Sequence, residues 1–220
     1  MSNTVSVLAA QVPSTPAAPT TSIFLTNVIV TWTAPYNGGS AITAYQVVIK
    51  QSNGTFSSTS VCNGTLSSVV TARTCTIPFT TLQASPYSLP WGSSIFANVT
   101  AINIMGRSIT SASGNGAVIL STPSAPISLQ QDFMNSNAYV LAFTWSDGLS
   151  DGGTPIIDYR VYYDAATDGA NYTILDFGIT ARNYQSSVPI TAGKYYRLTV
   201  QSRNAMGYSP ASDYVRIFAA

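Results

Sequence analysis

Apolar side chains fall on every second residue in several short stretches of the chain. Val28, Val30 and Trp32 form one such run, and Leu141, Phe143 and Trp145 another. Ile95, Ala97, Val99 and Ala101 alternate in the same way, as do Tyr196, Leu198, Val200 and Ser202. A period of two sends one face of a strand to a core and the other to water. Turn signals such as Asn37-Gly-Gly39 and Asp151-Gly-Gly153 separate the runs. No segment carries a helical period. Short alternating strands between turns predict an all-β sandwich architecture, not a parallel α/β fold.

The pattern is written twice. Leu89-Pro-Trp-Gly92 leads through Ile95, Val99 and Asn103 to Gly106 and Ser108. Ile190-Thr-Ala-Gly193 leads through Tyr196, Val200 and Asn204 to Gly207 and Ser209 without a gap. The Asn-x-Met-Gly in each run reads as a turn. Each tryptophan strand is followed by a glycine-containing loop and another strand, Ile42-Thr-Ala-Tyr45 or Ile156-Ile-Asp-Tyr159. With 220 residues available, the repeat divides the chain into modules at 12–121 and 122–220, preceded by a strand-like segment at 1–11.

Both halves resemble fibronectin type III domains. The likeness rests on the Pro-x-x-Pro starts (Pro16 to Pro19, Pro123 to Pro126), Trp32 and Trp145 of the second strand, and Tyr45 and Tyr159 of the third. The Tyr196-x-x-x-Val200-x-x-x-Asn204 run completes it. The resemblance implies two tandem immunoglobulin-like β-sandwiches, with Tyr196 as a tyrosine corner whose hydroxyl bonds upstream backbone. The first half has Ile95 there, so that bond must be missing or replaced, with Trp91 a packing substitute. Such modules occur in receptors, matrix proteins and enzymes, so the likeness concerns fold more than function. A narrower likeness links the low charge, the paired cysteines and the Leu89–Ile95 and 113–120 segments to repeats of very large ciliate surface proteins.

The ends carry a further signal. Val5-Ser-Val7-Leu8-Ala-Ala10 resembles Val215-Arg-Ile-Phe-Ala-Ala220. This predicts either a two-module period of a longer array or an N-terminal strand that docks on a neighbour's sheet edge. The alternative is a chance match in a Val- and Ala-rich chain. Pro123 and Pro126 punctuate the connection between modules and make it an extended, semi-rigid joint. Val5, Val7, Leu8, Pro123 and Pro126 are therefore the assembly candidates.

Composition narrows the function. Only 8% of residues are charged, glutamate and histidine are absent, and the net charge is +1. That balance gives no footprint for nucleic acid, and no apolar run approaches the roughly 20 residues that span a bilayer. The first 121 residues hold three basic residues and no acid; the remainder hold six basic residues and eight aspartates. The lack of histidine removes the usual serine and cysteine triads, the first module has no carboxylates to pair, and no phosphate-loop or dinucleotide motif appears. Cys62 and Cys75 read as a local disulfide joining neighbouring strands, free core thiols being the alternative, and no zinc site is possible. Asp147 and Asp151 share a loop and either bind a cation or form turns, the latter being commoner. N-glycosylation sequons stand at Asn53, Asn63, Asn98 and Asn171, and glycans would hydrate a charge-poor surface. Tyr36, Tyr162, Tyr163, Tyr172 and Tyr208 are candidates for contact patches, at least half of the tyrosines belonging to the cores.

These features predict a non-enzymatic protein of the extracellular space or cell surface. It would self-associate with copies of itself and carry glycans, as a unit of a filament, coat or adhesive stalk. The alternatives are a ligand-binding ectodomain of a receptor or adhesin, and accessory modules of a carbohydrate-active enzyme.

Overall fold

The computed structural model describes residues 9–220. The chain forms two compact units, the boundary in sequence falling between Ile119 and Leu120. In unit 1, strands β1 (Thr20–Phe24), β2 (Asn27–Thr31) and β5 (Thr74–Pro78) make one antiparallel sheet. The other has the order β4 (Phe56–Ser57), β3 (Ala44–Lys50), β6 (Ala97–Asn103), β7 (Gly106–Arg107). Unit 2 repeats the scheme. Strands β8 (Ile127–Gln131), β9 (Ala142–Ser146) and β12 (Asn183–Gln185) form the smaller sheet. The larger runs β11 (Thr173–Ile179), β10 (Asp158–Tyr163), β13 (Tyr195–Asn204), β14 (Gly207–Tyr208), with β15 (Val215–Phe218) also paired to β13. Both units are immunoglobulin-like sandwiches of the fibronectin type III kind.

The alternating positions build the cores. Val28, Val30, Trp32, Tyr45, Val47, Ile49, Ala97 and Val99 fill unit 1. Phe143, Trp145, Tyr159, Val161, Tyr196, Leu198 and Val200 fill unit 2. Each large apolar side chain contributes about 1.5–3 kcal/mol on leaving water. The two sheets of each unit meet at a tryptophan–tyrosine pair. Trp32 stands edge-on to Tyr45 and Trp145 to Tyr159, both at 5.3 Å between ring centroids. The Tyr196 hydroxyl accepts the Thr191 N–H at 2.9 Å, the bond of a tyrosine corner. Ile95 is fully buried in the matching place, and Trp91 packs edge-on against Phe79 at 5.9 Å.

Two expectations need correction. The chain does contain helix: α1 (Ser67–Ala72) and α2 (Phe79–Gln83), with six and five residues. At that length no period can be read, and burial of Phe79 and Leu82, not propensity, holds α2 in place. The proline segment is held along its length. Pro123 and Pro126 are buried, and the Ser121 and Ser124 N–H groups donate to the carbonyls of Gly152 and Ser150 at 2.9 and 2.8 Å. It belongs to the fold of unit 2. The cystine does not join two strands: Cys62 ends a 3-10 turn (Ser60–Cys62), and Cys75 lies on β5, their Cα atoms 5.3 Å apart. Val5, Val7 and Leu8 lie outside the described residues.

One buried amide closes each unit. The Asn103 Nδ2 donates to the carbonyls of Gln11 (2.8 Å) and Asn37 (2.9 Å), while its Oδ1 accepts the Met105 N–H at 2.9 Å. Asn204 does the same with Ser121 (2.8 Å), Asp151 (2.6 Å) and Met206 (2.8 Å). Incoming chain, glycine loop and hairpin turn are thereby tied to one point. The loop must come close to reach it. A Cβ on Gly38 would sit 2.2 Å from the Gln11 carbonyl oxygen, and one on Gly152 2.1 Å from that of Ser121. Both glycines also have φ above +70°, where only glycine rests without strain.

Two outcomes follow for stability. Asn204→Ala destabilises unit 2 by about 2–3 kcal/mol in urea unfolding, because a buried N–H and two carbonyls lose their partner. Asn204→Asp costs more than Asn204→Ala, since a carboxylate then faces two carbonyl oxygens. An equal cost for both would show that water replaces the amide. Replacing Cys62 and Cys75 together by serine lowers the stability of unit 1 by about 2–4 kcal/mol and leaves the unfolding midpoint of unit 2 in place.

Candidate functional site

The charges of unit 2 have a place to go. On β13 the inward Tyr196, Leu198, Val200 and Ser202 leave Tyr195, Arg197, Thr199, Gln201 and Arg203 on the outer face. On β10 the inward Tyr159 and Val161 leave Asp158, Arg160 and Tyr162 on that face. The antiparallel register sets Asp158 opposite Arg203, Arg160 opposite Gln201 and Tyr162 opposite Thr199. Tyr208 lies opposite Arg203 on the other side, and Arg216 opposite Arg197.

Arginine and tyrosine interleave across this face. The Arg160 guanidinium lies 3.7 Å from the centre of the Tyr208 ring and 5.2 Å from that of Tyr162. Arg216 lies 3.8 Å from the Tyr195 ring, and Arg197 5.0 Å from the Tyr214 ring. Such contacts contribute about 0.5–1 kcal/mol each at exposed sites. Arg203 pairs with Asp158, and Arg197 with Asp168 at 2.5 Å. Among the described residues Arg160 and Arg216 have no carboxylate partner. A cleft of about 460 Å³ opens on the face between Tyr162, Tyr172, Gln201 and Tyr214. The matching face of unit 1 is poorer: Lys50 lies over Phe96 at 5.4 Å, and Arg107 bonds Gln46.

Of the five candidate contact tyrosines, the structure brings Tyr162, Tyr172 and Tyr208 to this face. Tyr163 stacks on Tyr196 against the core. Tyr36 is exposed in unit 1. Sequence reading missed Tyr195, Tyr214 and the arginines; the outward positions of β13 were the available signal.

Asp147 and Asp151 are each engaged by groups of the protein. Arg182 reaches Asp147 through Nε (3.0 Å) and Nη2 (2.5 Å), and the Tyr159 hydroxyl donates to the same carboxylate. Asp151 accepts the Gly153 N–H at 2.8 Å, as a turn former does. Among the described residues no group of three metal-ligating side chains converges, and no helix is long and apolar enough to cross a membrane.

The four sequons differ in geometry. The Asn53 side-chain oxygen accepts the N–H and hydroxyl of Thr55 at 2.9 and 2.8 Å, and Asn63 does the same with Thr65 at 3.0 and 2.8 Å. Both asparagines are exposed, as is Asn171. Asn98 is half-buried, and its Nδ2 already donates to the Ser111 carbonyl at 2.8 Å.

No protein family profile matches the chain, and no curated protein matches it. Among solved structures, the FN1–FN3 domains of chicken CNTN1 are similar to it at 16% identity and a TM-score of 0.49, over 93% of this chain and 67% of that one. A run of titin domains is similar at 14% identity and a TM-score of 0.46, over 95% of this chain and 61% of that one.

Acid and base titration separates the two groups around Asp147. Its hydrogen bonds from Arg182, ahead of the bond from Tyr159, hold the carboxyl below the usual aspartate range. Its contribution to stability is complete above the ordinary value of about 3.9 and is lost as pH falls through the depressed folded value. Burial, then the bond to Asp147, pushes the Tyr159 phenol up to about 12. The stability tied to the neutral phenol is present below its ordinary value of about 10 and is lost as pH rises towards the folded one. The stability gap between the parent and Asp147→Asn, from urea unfolding at set pH, is therefore widest near neutrality and narrows below pH ~4. A gap that is flat down to pH ~2 would remove Asp147 from the account.

Proposed function

We propose that the chain is a non-enzymatic structural unit of the extracellular space, a glycosylated repeat of a surface filament, coat or adhesive stalk. The observation that carries this reading is the exposed arginine–tyrosine face of unit 2. Arginine and tyrosine are the residue types that dominate contact energies, because they offer large area and several donors at modest entropic cost. On this chain, with 8% charged residues, four of the nine cations gather on that one face. Copies of the chain would meet there. The cystine supports an oxidising compartment. The likeness to ciliate surface repeats rests on the sequence segments alone and adds nothing to the mechanism.

Glycans would occupy Asn53, Asn63 and Asn171, whose side chains are exposed, and keep a charge-poor surface from associating everywhere. The aromatic cleft favours a second reading, a ligand-binding ectodomain that holds one discrete partner on the same face.

Electron microscopy of the native material, with sedimentation across protein concentration, tests the first reading. Regular assemblies are expected for the parent chain, and an Arg160→Ser, Tyr208→Ser variant is expected to disperse them. Single molecules at every concentration would overturn self-assembly and favour the second reading. Mass spectrometry of chain made in a secretory host should find sugar at Asn53, Asn63 and Asn171 and bare Asn98. A fully occupied Asn98 would mean that its bond to Ser111 is dispensable.

A further inference from the structure

The two units repeat one another so closely that each is a reference for the other. The Trp32–Tyr45 and Trp145–Tyr159 pairs share one separation, with interplanar angles of 66° and 68°. The Trp32 N–H donates to the Arg73 carbonyl at 3.0 Å, and the Trp145 N–H to the Arg182 carbonyl at 3.1 Å. Arg73 thus stands where Arg182 stands, and Tyr45 where Tyr159 stands. Two residues beyond each tryptophan the match fails. Unit 2 has Asp147, which gathers the Arg182 guanidinium and the Tyr159 hydroxyl. Unit 1 has Ala34.

The missing side chain leaves a groove of about 500 Å³, lined by Ala34, Tyr36, Ile42, Tyr45, Val70 and Arg73. Among the described residues the Arg73 guanidinium has no ion-pair partner, and the Tyr45 hydroxyl, whose oxygen is within reach of the Trp32 side-chain N–H, keeps its own O–H to donate. No carboxylate of unit 1 could serve, because residues 1–121 contain neither aspartate nor glutamate. Arg73 is close enough for its charge to act on the Tyr45 phenol, opposing the effect of burial there.

We propose that this groove is a carboxylate-binding site, in which Arg73 and Tyr45 take from outside the anion that Asp147 supplies within unit 2. The chemistry fits the donors. A guanidinium fork matches the two oxygens of a carboxylate, and a phenol adds a third bond. The apolar walls of Ala34, Ile42 and Val70 limit competing water. Chloride lacks the two separate oxygens that match the guanidinium fork. The carboxylate has two conceivable sources: a free organic acid, or an aspartate of a second copy, which carries eight of them in its second unit.

The test is a titration of the full chain with acetate at constant ionic strength, chloride being the balancing anion. The readouts are the NMR signals of the Arg73 Nε–H and the Trp32 indole N–H. Saturable shifts are expected at both, with the Arg182 and Trp145 signals unmoved because their seat is filled. Arg73→Gln should weaken the response at least tenfold, and Ala34→Asp should abolish it by placing a carboxylate in the seat. Asp147→Ala should do the reverse and make the Arg182 signal respond to acetate. Association that rises with protein concentration and is dispersed by acetate and by Ala34→Asp assigns the source to a second copy; acetate binding without association assigns it to a free acid. Shifts no larger than those from chloride, or a response that survives Ala34→Asp or Arg73→Gln, overturn the proposal.

Discussion

The buried amides of Asn103 and Asn204 are the constraint on which each sandwich depends. A sandwich needs its incoming chain, its glycine loop and its hairpin turn fixed at one end, and no strand ladder joins the three to one another. A single side chain with two donors and one acceptor satisfies all three at once. Both asparagines are almost fully buried, so the bonds form away from water, where an unpaired group is costly. That makes the geometry close to all-or-none. It also explains why the glycine loops permit no Cβ: the backbone must approach the incoming chain before the amide can bridge them.

A second polar device recurs beside it. The Ala101 and Val99 N–H groups donate to the hydroxyls of Ser108 and Ser111, each at 3.0 Å, and Ser202 and Val200 donate to Ser209 and Ser212 at 3.0 and 2.9 Å. The last strand of each unit leaves the ladder after the hairpin, and the serines complete the pairing where backbone carbonyls are out of reach. A chain poor in charge thus satisfies its buried backbone with neutral hydroxyls and amides. Its few charges remain available for surfaces.

The strands, their duplication and the two core tryptophans were legible because alternation is a property of neighbouring residues. Tyr196 was legible because its glycine lies at a fixed upstream distance. What could not be read depends on contacts far apart in sequence. Asn103 looked like a turn residue, yet two of its partners, Gln11 and Asn37, lie 92 and 66 positions away. The arginine–tyrosine face needs the register of β10, β13, β14 and β15 before its members become neighbours. Helices α1 and α2 are shorter than any window in which a period of 3.6 can appear.

The units share a frame but hold its weakest edge differently. In unit 2 the edge beside β10 is β11, seven residues long. In unit 1 the equivalent β4 has two residues, and the chain then leaves this sheet for β5 of the other. Something must still cover the edge of β3. The Tyr45 N–H donates to the Gly64 carbonyl at 2.9 Å, and a Cβ on Gly64 would lie 1.9 Å from the Tyr45 carbonyl oxygen. Only glycine lets the detour come that close. The cystine sits two residues away at Cys62 and ties the detour to β5 on the opposite sheet. Five paired residues in one unit are thus reduced to two in the other, supplemented by one covalent link and one close backbone contact.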